Sequence, residues 1–142
     1  MGVHVNRLAD LEDIRPGSGE LMYFAGSHRL PEYLFGGKYK HWNVKRDGDE
    51  QHAEWRELMY TNAERMSLEQ TTFLPKKGDV LIWSADLAHG GSRVTDPSLT
   101  RKSLVGHYCP SRVEPLYFRL QPDRRGKQSF DGCLYASQYY SV

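Results

Sequence analysis

One histidine, one arginine and one serine carry the chemistry that can be read from this sequence. In the stretch GDVLIWSADLAHGG, His89 stands at the far end of an apolar strand, and Gly90 and Gly91 follow it directly. Residues without side chains let the backbone bend away and leave the imidazole approachable. That setting suits a metal ligand, and it equally suits a histidine that ends a strand and hydrogen-bonds a loop carbonyl. A single imidazole specifies no metal. Arg101 lies 12 residues on (101 − 89), and Ser103 follows two positions later. On a strand that spacing points both side chains to one face. The arginine fork can hold a carboxylate through two parallel hydrogen bonds. A metal-bound imidazole with an arginine and a hydroxyl on an adjacent strand is what a dicarboxylate cosubstrate such as 2-oxoglutarate requires. Its keto acid end chelates the metal and its far carboxylate pairs with the arginine. For Arg101 the alternative is a solvent-facing strand start with an ion pair to Asp96 or Asp86.

Several elements must position these residues. GELMYFAGSH, Gly19 to His28, reads as a strand after the turn-forming RPGSG, with Leu21, Tyr23 and Ala25 alternating with Met22 and Phe24. QTTFLPKKGDVLIW reads as two strands joined by a hairpin-like corner at Pro75 to Gly78, because proline cannot sit inside a sheet and glycine accepts positive φ. Lys102 to Cys109 forms a further strand, with Leu104, Gly106 and Tyr108 on one face against Val105, His107 and Cys109 on the other. EPLYFRL supplies another. DEQHAEWRELMYTNAERMSLEQ places Trp55, Leu58, Met59 and Met66 at helical spacing, which predicts one amphipathic helix with those residues in the core. Before it, Phe35 to Glu50 is a long polar connection of the kind that forms a lid or binding loop. It mixes acidic and basic residues, with no feature specific to CoA or to peptides. Short strands with Gly and Pro corners and little helix predict a mainly β fold, a β-sandwich or jelly roll.

Composition limits the function classes. The 142 residues fit a single domain, 1–142, and the formal charge of +1 comes from 19 basic against 18 acidic residues with no basic cluster. Neither a nucleic acid nor an anionic membrane surface is the expected partner. The longest apolar run, Val80 to Trp83, is far too short to span a bilayer, and no signal-peptide pattern opens the chain, so a soluble cytoplasmic protein is expected. Cys109 and Cys133 are the only cysteines and form no CxxC pair, so reduced thiols are expected. No GxSxG, GxxxxGK[ST] or HExxH pattern offers another catalytic centre.

Three blocks, LEDIRPGSGELMYFAGSHRLPEYLFGG, FLPKKGDVLIWSADLAHGGS and LTRKSLVGHYCP, together resemble the phytanoyl-CoA dioxygenase family of Fe(II)/2-oxoglutarate-dependent oxygenases. The resemblance covers much of residues 10–110. It implies a double-stranded β-helix, that is, a jelly roll of cupin-like type, and oxygen-dependent hydroxylation of a small-molecule substrate with release of succinate and CO₂. It makes His89 the distal iron ligand and Arg101 the partner of the 5-carboxylate of 2-oxoglutarate, with Ser103 adding a hydrogen bond. No further catalytic residue is implied.

The chain departs from that family at its start. The proximal HxD motif lies some twenty residues upstream of the LEDI segment in the family, whereas here ten residues precede Leu11. HVN, His4 to Asn6, is the one candidate, and it offers a neutral carboxamide where a carboxylate belongs. The expectation is therefore the C-terminal portion of a jelly roll, incomplete at the N-terminus. An exposed sheet edge would be left open to a homodimer partner. The alternative function is a non-catalytic jelly-roll binding module that keeps the 2-oxoglutarate carboxylate site. Among the other histidines, His28 is expected in a hydrogen-bonded loop and His41 and His52 in solvent. His107 is left open, because Gly106 permits a bulge.

Overall fold

The computed structural model describes residues 5–110, 112–113, 128–131 and 133–135. Within them the chain is mainly β. Six strands form two antiparallel three-stranded sheets: β1 Val5–Asp10, β2 Leu21–Phe24, β3 Gln70–Phe73, β4 Val80–Ser84, β5 His89–Gly91 and β6 Ser103–Tyr108. A hairpin of β7 Gln128–Phe130 and β8 Cys133–Tyr135 stands apart. One helix, α1 Val44–Arg65, lies between β2 and β3. The expected strand EPLYFRL and His4 fall outside the described residues.

The first sheet has the order β4-β1-β6 and the second β3-β2-β5. The pairings nest: β1 with β4 encloses β2 with β3, and β1 with β6 encloses β2 with β5. The β1–β2 ribbon is thus flanked on one side by β3–β4 and on the other by β5–β6. Neither sheet closes into a barrel. Leu8, Leu21 and Trp83 form the buried core with Phe73, Leu81 and Leu87 packed against them, so the two sheets meet face to face through these side chains. Two-residue periodicity and the strand register extend the facing surfaces. Asn6, Asp10, Ser103, Val105 and His107 join Leu8 on the first sheet, and Tyr23, His89 and Gly91 join Leu21 on the second. The opposite face of the first sheet leaves Val80, Ile82, Leu104 and Tyr108 exposed.

Several expectations are corrected. β3 and β4 do not form a hairpin: the Pro75–Gly78 corner carries the chain from one sheet to the other. It is tied down by Lys77 N donating to Asp13 Oδ1 at 2.8 Å and Gly78 N to Asp10 O at 2.9 Å. His89 does not end the VLIW strand. β4 stops at Ser84, a turn follows, and His89 opens β5. The first strand is confined to Leu21–Phe24, because Gly26 at φ 89° turns the chain into a 3₁₀ turn at Ser27–Arg29 that carries His28.

The polar connection is anchored and partly helical. Phe35 is buried, packed edge-on against Tyr33 and against Trp55. The helix begins at Val44, earlier than its apolar spacing indicates. Asn43 Oδ1 accepts from Lys45 N and Arg46 N, while Asp47 Oδ2 accepts from Asn43 N at 2.8 Å, a reciprocal cap. Gly48 breaks the helical backbone one turn later (φ 69°, ψ 174°), and its carbonyl accepts from Trp42 Nε1 at 2.8 Å. The expected core face is also incomplete: Trp55 and Met59 are half-buried, but Leu58 and Met66 are exposed, and Ala63 is the buried apolar residue of the helix. No helix among the described residues is long and apolar enough to cross a membrane.

Candidate functional site

His89 opens β5, and Arg101 lies two residues before β6 begins, not on the strand expected to align it with Ser103; both residues are exposed. His89 pairs across β2 with Tyr23, and its ring stands edge-on to Trp83 with centroids 5.3 Å apart. Its Nδ1 lies 2.7 Å from Leu87 O. A carbonyl oxygen carries no proton, so Nδ1 holds the hydrogen and donates it. A neutral ring held in this way would carry its lone pair on Nε2. A backbone carbonyl fixing the second nitrogen is the usual support of a metal-binding histidine. The loop-carbonyl bond and the ligand role, alternatives in the sequence, are therefore compatible in this geometry.

Gly91 lies two residues along β5 on the same face, a step of about 7 Å. A Cβ built there would stand 3.9 Å from both Nη1 and Nη2 of Arg101. The guanidinium thus stands in ordinary van der Waals contact with the Cβ position of residue 91. No ion pair to Asp96 or Asp86 holds Arg101 among the described residues: Asp96 instead accepts from Ser98, and Asp86 stands 3.7 Å from Lys40 Nζ. Ser103 is half-buried opposite Asp10, on the facing surface.

Sequence reasoning missed the groups that hold Arg101. Glu12 Oε1 accepts from Thr100 Oγ1 at 2.7 Å and from Lys102 N at 2.8 Å, clamping the residues on both sides. Leu11 N adds a bond to Lys102 O. These hydrogen bonds hold the Glu12 carboxyl below the usual carboxylate range, the Thr100 hydroxyl foremost. Asp10, only 3% exposed, is pushed up by burial, an effect that the Arg101 charge opposes and Asp79 reinforces. Its Oδ2 has no hydrogen-bond partner among the described residues, and neither does Trp83 Nε1 beside His89. Both atoms are buried polar groups without a partner among those residues. No local pattern in the sequence marks either atom.

Asn6 is buried, and its Oδ1 accepts from His107 Nδ1 at 2.6 Å. His107 therefore lies on the facing surface beside Asn6, without a bulge. Its Nδ1–H is spent on the carboxamide, and Asn6 Oδ1 is already engaged. Among the described residues there is no group of three or more His, Cys, Asp or Glu side chains placed to hold a metal ion.

His89 also lines a cavity of about 740 Å³, bounded by the 27–33 segment, by the 85–89 turn and by Trp55, Leu58, Met59 and Asn62 of α1. His28 lines it. Lys40 bridges Glu32 at 2.6 Å and Asp86 at 3.7 Å across it.

Comparison with protein-family models, curated proteins and solved structures gives no match for this chain.

Proposed function

We propose that this chain carries the distal iron ligand and the cosubstrate clamp of an Fe(II)/2-oxoglutarate-dependent oxygenase of phytanoyl-CoA dioxygenase type. In this reading the nested β1–β2, β3–β4 and β5–β6 ribbons are part of a jelly roll. The observation that supports it is the contact of the Arg101 guanidinium with the Cβ position of Gly91, two residues from a His89 whose Nδ1 is engaged by the Leu87 carbonyl. His89 would ligate iron through Nε2. Arg101, held by Glu12 through Thr100 and Lys102, would pair with the 5-carboxylate of 2-oxoglutarate, with the Ser103 hydroxyl as a further donor. Bound iron would supply the oxygen chemistry, in which substrate C–H, O₂ and 2-oxoglutarate give the alcohol, succinate and CO₂. The described residues fit one imidazole ligand and a carboxylate clamp. Among the described residues no group of three or more His, Cys, Asp or Glu side chains is placed to hold a metal.

That last observation, with Asn6 Oδ1 engaged by His107, favours a second reading: a non-catalytic module that binds a dicarboxylate without iron. Calorimetry separates the two. In the oxygenase reading 2-oxoglutarate binds more tightly when ferrous iron is present, and the gain disappears in His89→Ala. In the module reading binding is the same with and without iron. Absence of 2-oxoglutarate binding under both conditions contradicts both.

A further inference from the structure

From the cavity beside His89 we infer a binding site for a small amphipathic amine, a molecule with an apolar body and one ammonium group. This rests on the oxygenase reading only for what happens to such a molecule, not for its binding.

Arg101, Gly91 and Ser103 are not among the residues that line the cavity. At about 740 Å³ it is in the size range of small-molecule pockets. It shares one wall with the proposed iron ligand, since Leu87, Ala88 and His89 line it. The facing wall is α1. Leu58 is exposed and Trp55 and Met59 are half-buried, so an otherwise polar helix turns apolar side chains into this hollow. With Leu30 and Pro31 they form an apolar bed, and burying it against a ligand is favourable.

The polar groups select the charge. Glu32, Asp86 and Lys40 are the charged side chains of the lining. Two carboxylates face one ammonium, and that ammonium sits 2.6 Å from Glu32 but 3.7 Å from Asp86. Asp86 is the less satisfied of the two, and a ligand ammonium would complete it. A ligand carboxylate would meet a net negative rim. The ammonium at Asp86 would leave the apolar body along Leu58 and Met59, next to His89.

The test uses the metal-free 142-residue chain with methionine methyls labelled. Octylammonium, octanoate and octanol are titrated below their aggregation concentrations and followed by NMR. Octylammonium should shift the Met59 methyl while leaving Met22 unmoved. It should bind about fivefold to tenfold more tightly than octanoate, the scale of one exposed ion pair gained against one repelled. Asp86→Asn should remove most of that preference, and Leu58→Asp should abolish the Met59 shift while the remaining spectrum stays folded. Octanoate binding as tightly as octylammonium, a preference that survives Asp86→Asn, or no Met59 response to any of the three compounds overturns the inference. Because no iron is present, failure of the oxygenase reading leaves this outcome untouched, and the reverse also holds.

Discussion

Replacing Gly91 by valine is the sharpest perturbation of the proposed cosubstrate clamp. An alanine Cβ at this position meets Gly19 O at 3.5 Å and the two Arg101 nitrogens at 3.9 Å, all ordinary contact distances. Alanine therefore fits. Valine adds methyls about 1.5 Å further out. One directed at the guanidinium would come within about 2.4 Å of it, well inside the 3.5–4.0 Å of normal contact. Arg101 must then move by about an ångström or more, which breaks a two-point carboxylate pairing. Losing such a charge-assisted pair costs about 1.5–3 kcal/mol. Affinity for 2-oxoglutarate should fall roughly tenfold to hundredfold, at about 1.4 kcal/mol per factor of ten. Calorimetry measures it, with circular dichroism showing that the fold persists. Gly91→Ala should stay within about twofold of the parent. If Gly91→Val binds as tightly as the parent, or if alanine is as damaging as valine, Arg101 does not serve the pocket as argued.

Other expectations follow from the same geometry. Trp83→Ala removes the largest core side chain and should cost about 3–5 kcal/mol in chemical denaturation; a loss under 1 kcal/mol would mean the sheets do not pack through it. Asp10, with its carboxyl pushed up by burial, gives stability that is present below the ordinary carboxylate range and lost as pH rises through its raised value. Asp10→Asn should therefore be the more stable protein at neutral pH, by about 1 kcal/mol, with the difference vanishing in acid. Glu12 has the opposite sign: its contribution is present above the ordinary range and lost as pH falls through its lowered value, so Glu12→Gln should flatten the acid limb of a stability profile. The exposed Val80, Ile82 and Leu104 predict self-association of the first sheet, which light scattering should detect and Ile82→Lys should weaken.

What the sequence makes legible are local signals. Alternation along β6 gives the shared face of Ser103 and Val105, and glycines after a histidine mark an approachable ring. What the sequence concealed depends on partners far along the chain. Glu12 clamps residues 100 and 102, some ninety positions away, and Gly91 matters for the side chain it lacks. Pro75 and Gly78 correctly announce a corner, but turn residues do not say which sheet receives the next strand. The Asn43 and Asp47 cap and the Gly48 break made the first turn of α1 read as loop. Trp55 and Met59 kept their helical spacing, yet spacing cannot tell a packed core from one wall of an open cavity.

The central claim is that His89 presents Nε2 to iron beside a dicarboxylate held by Arg101. Anaerobic addition of ferrous iron and 2-oxoglutarate, followed by visible absorption, tests it most directly. The account predicts a metal-to-ligand charge-transfer band that is lost in His89→Ala and weakened in Arg101→Ala, but retained in His28→Ala. No band at any pH where imidazole is neutral, or a band that survives His89→Ala, would contradict it.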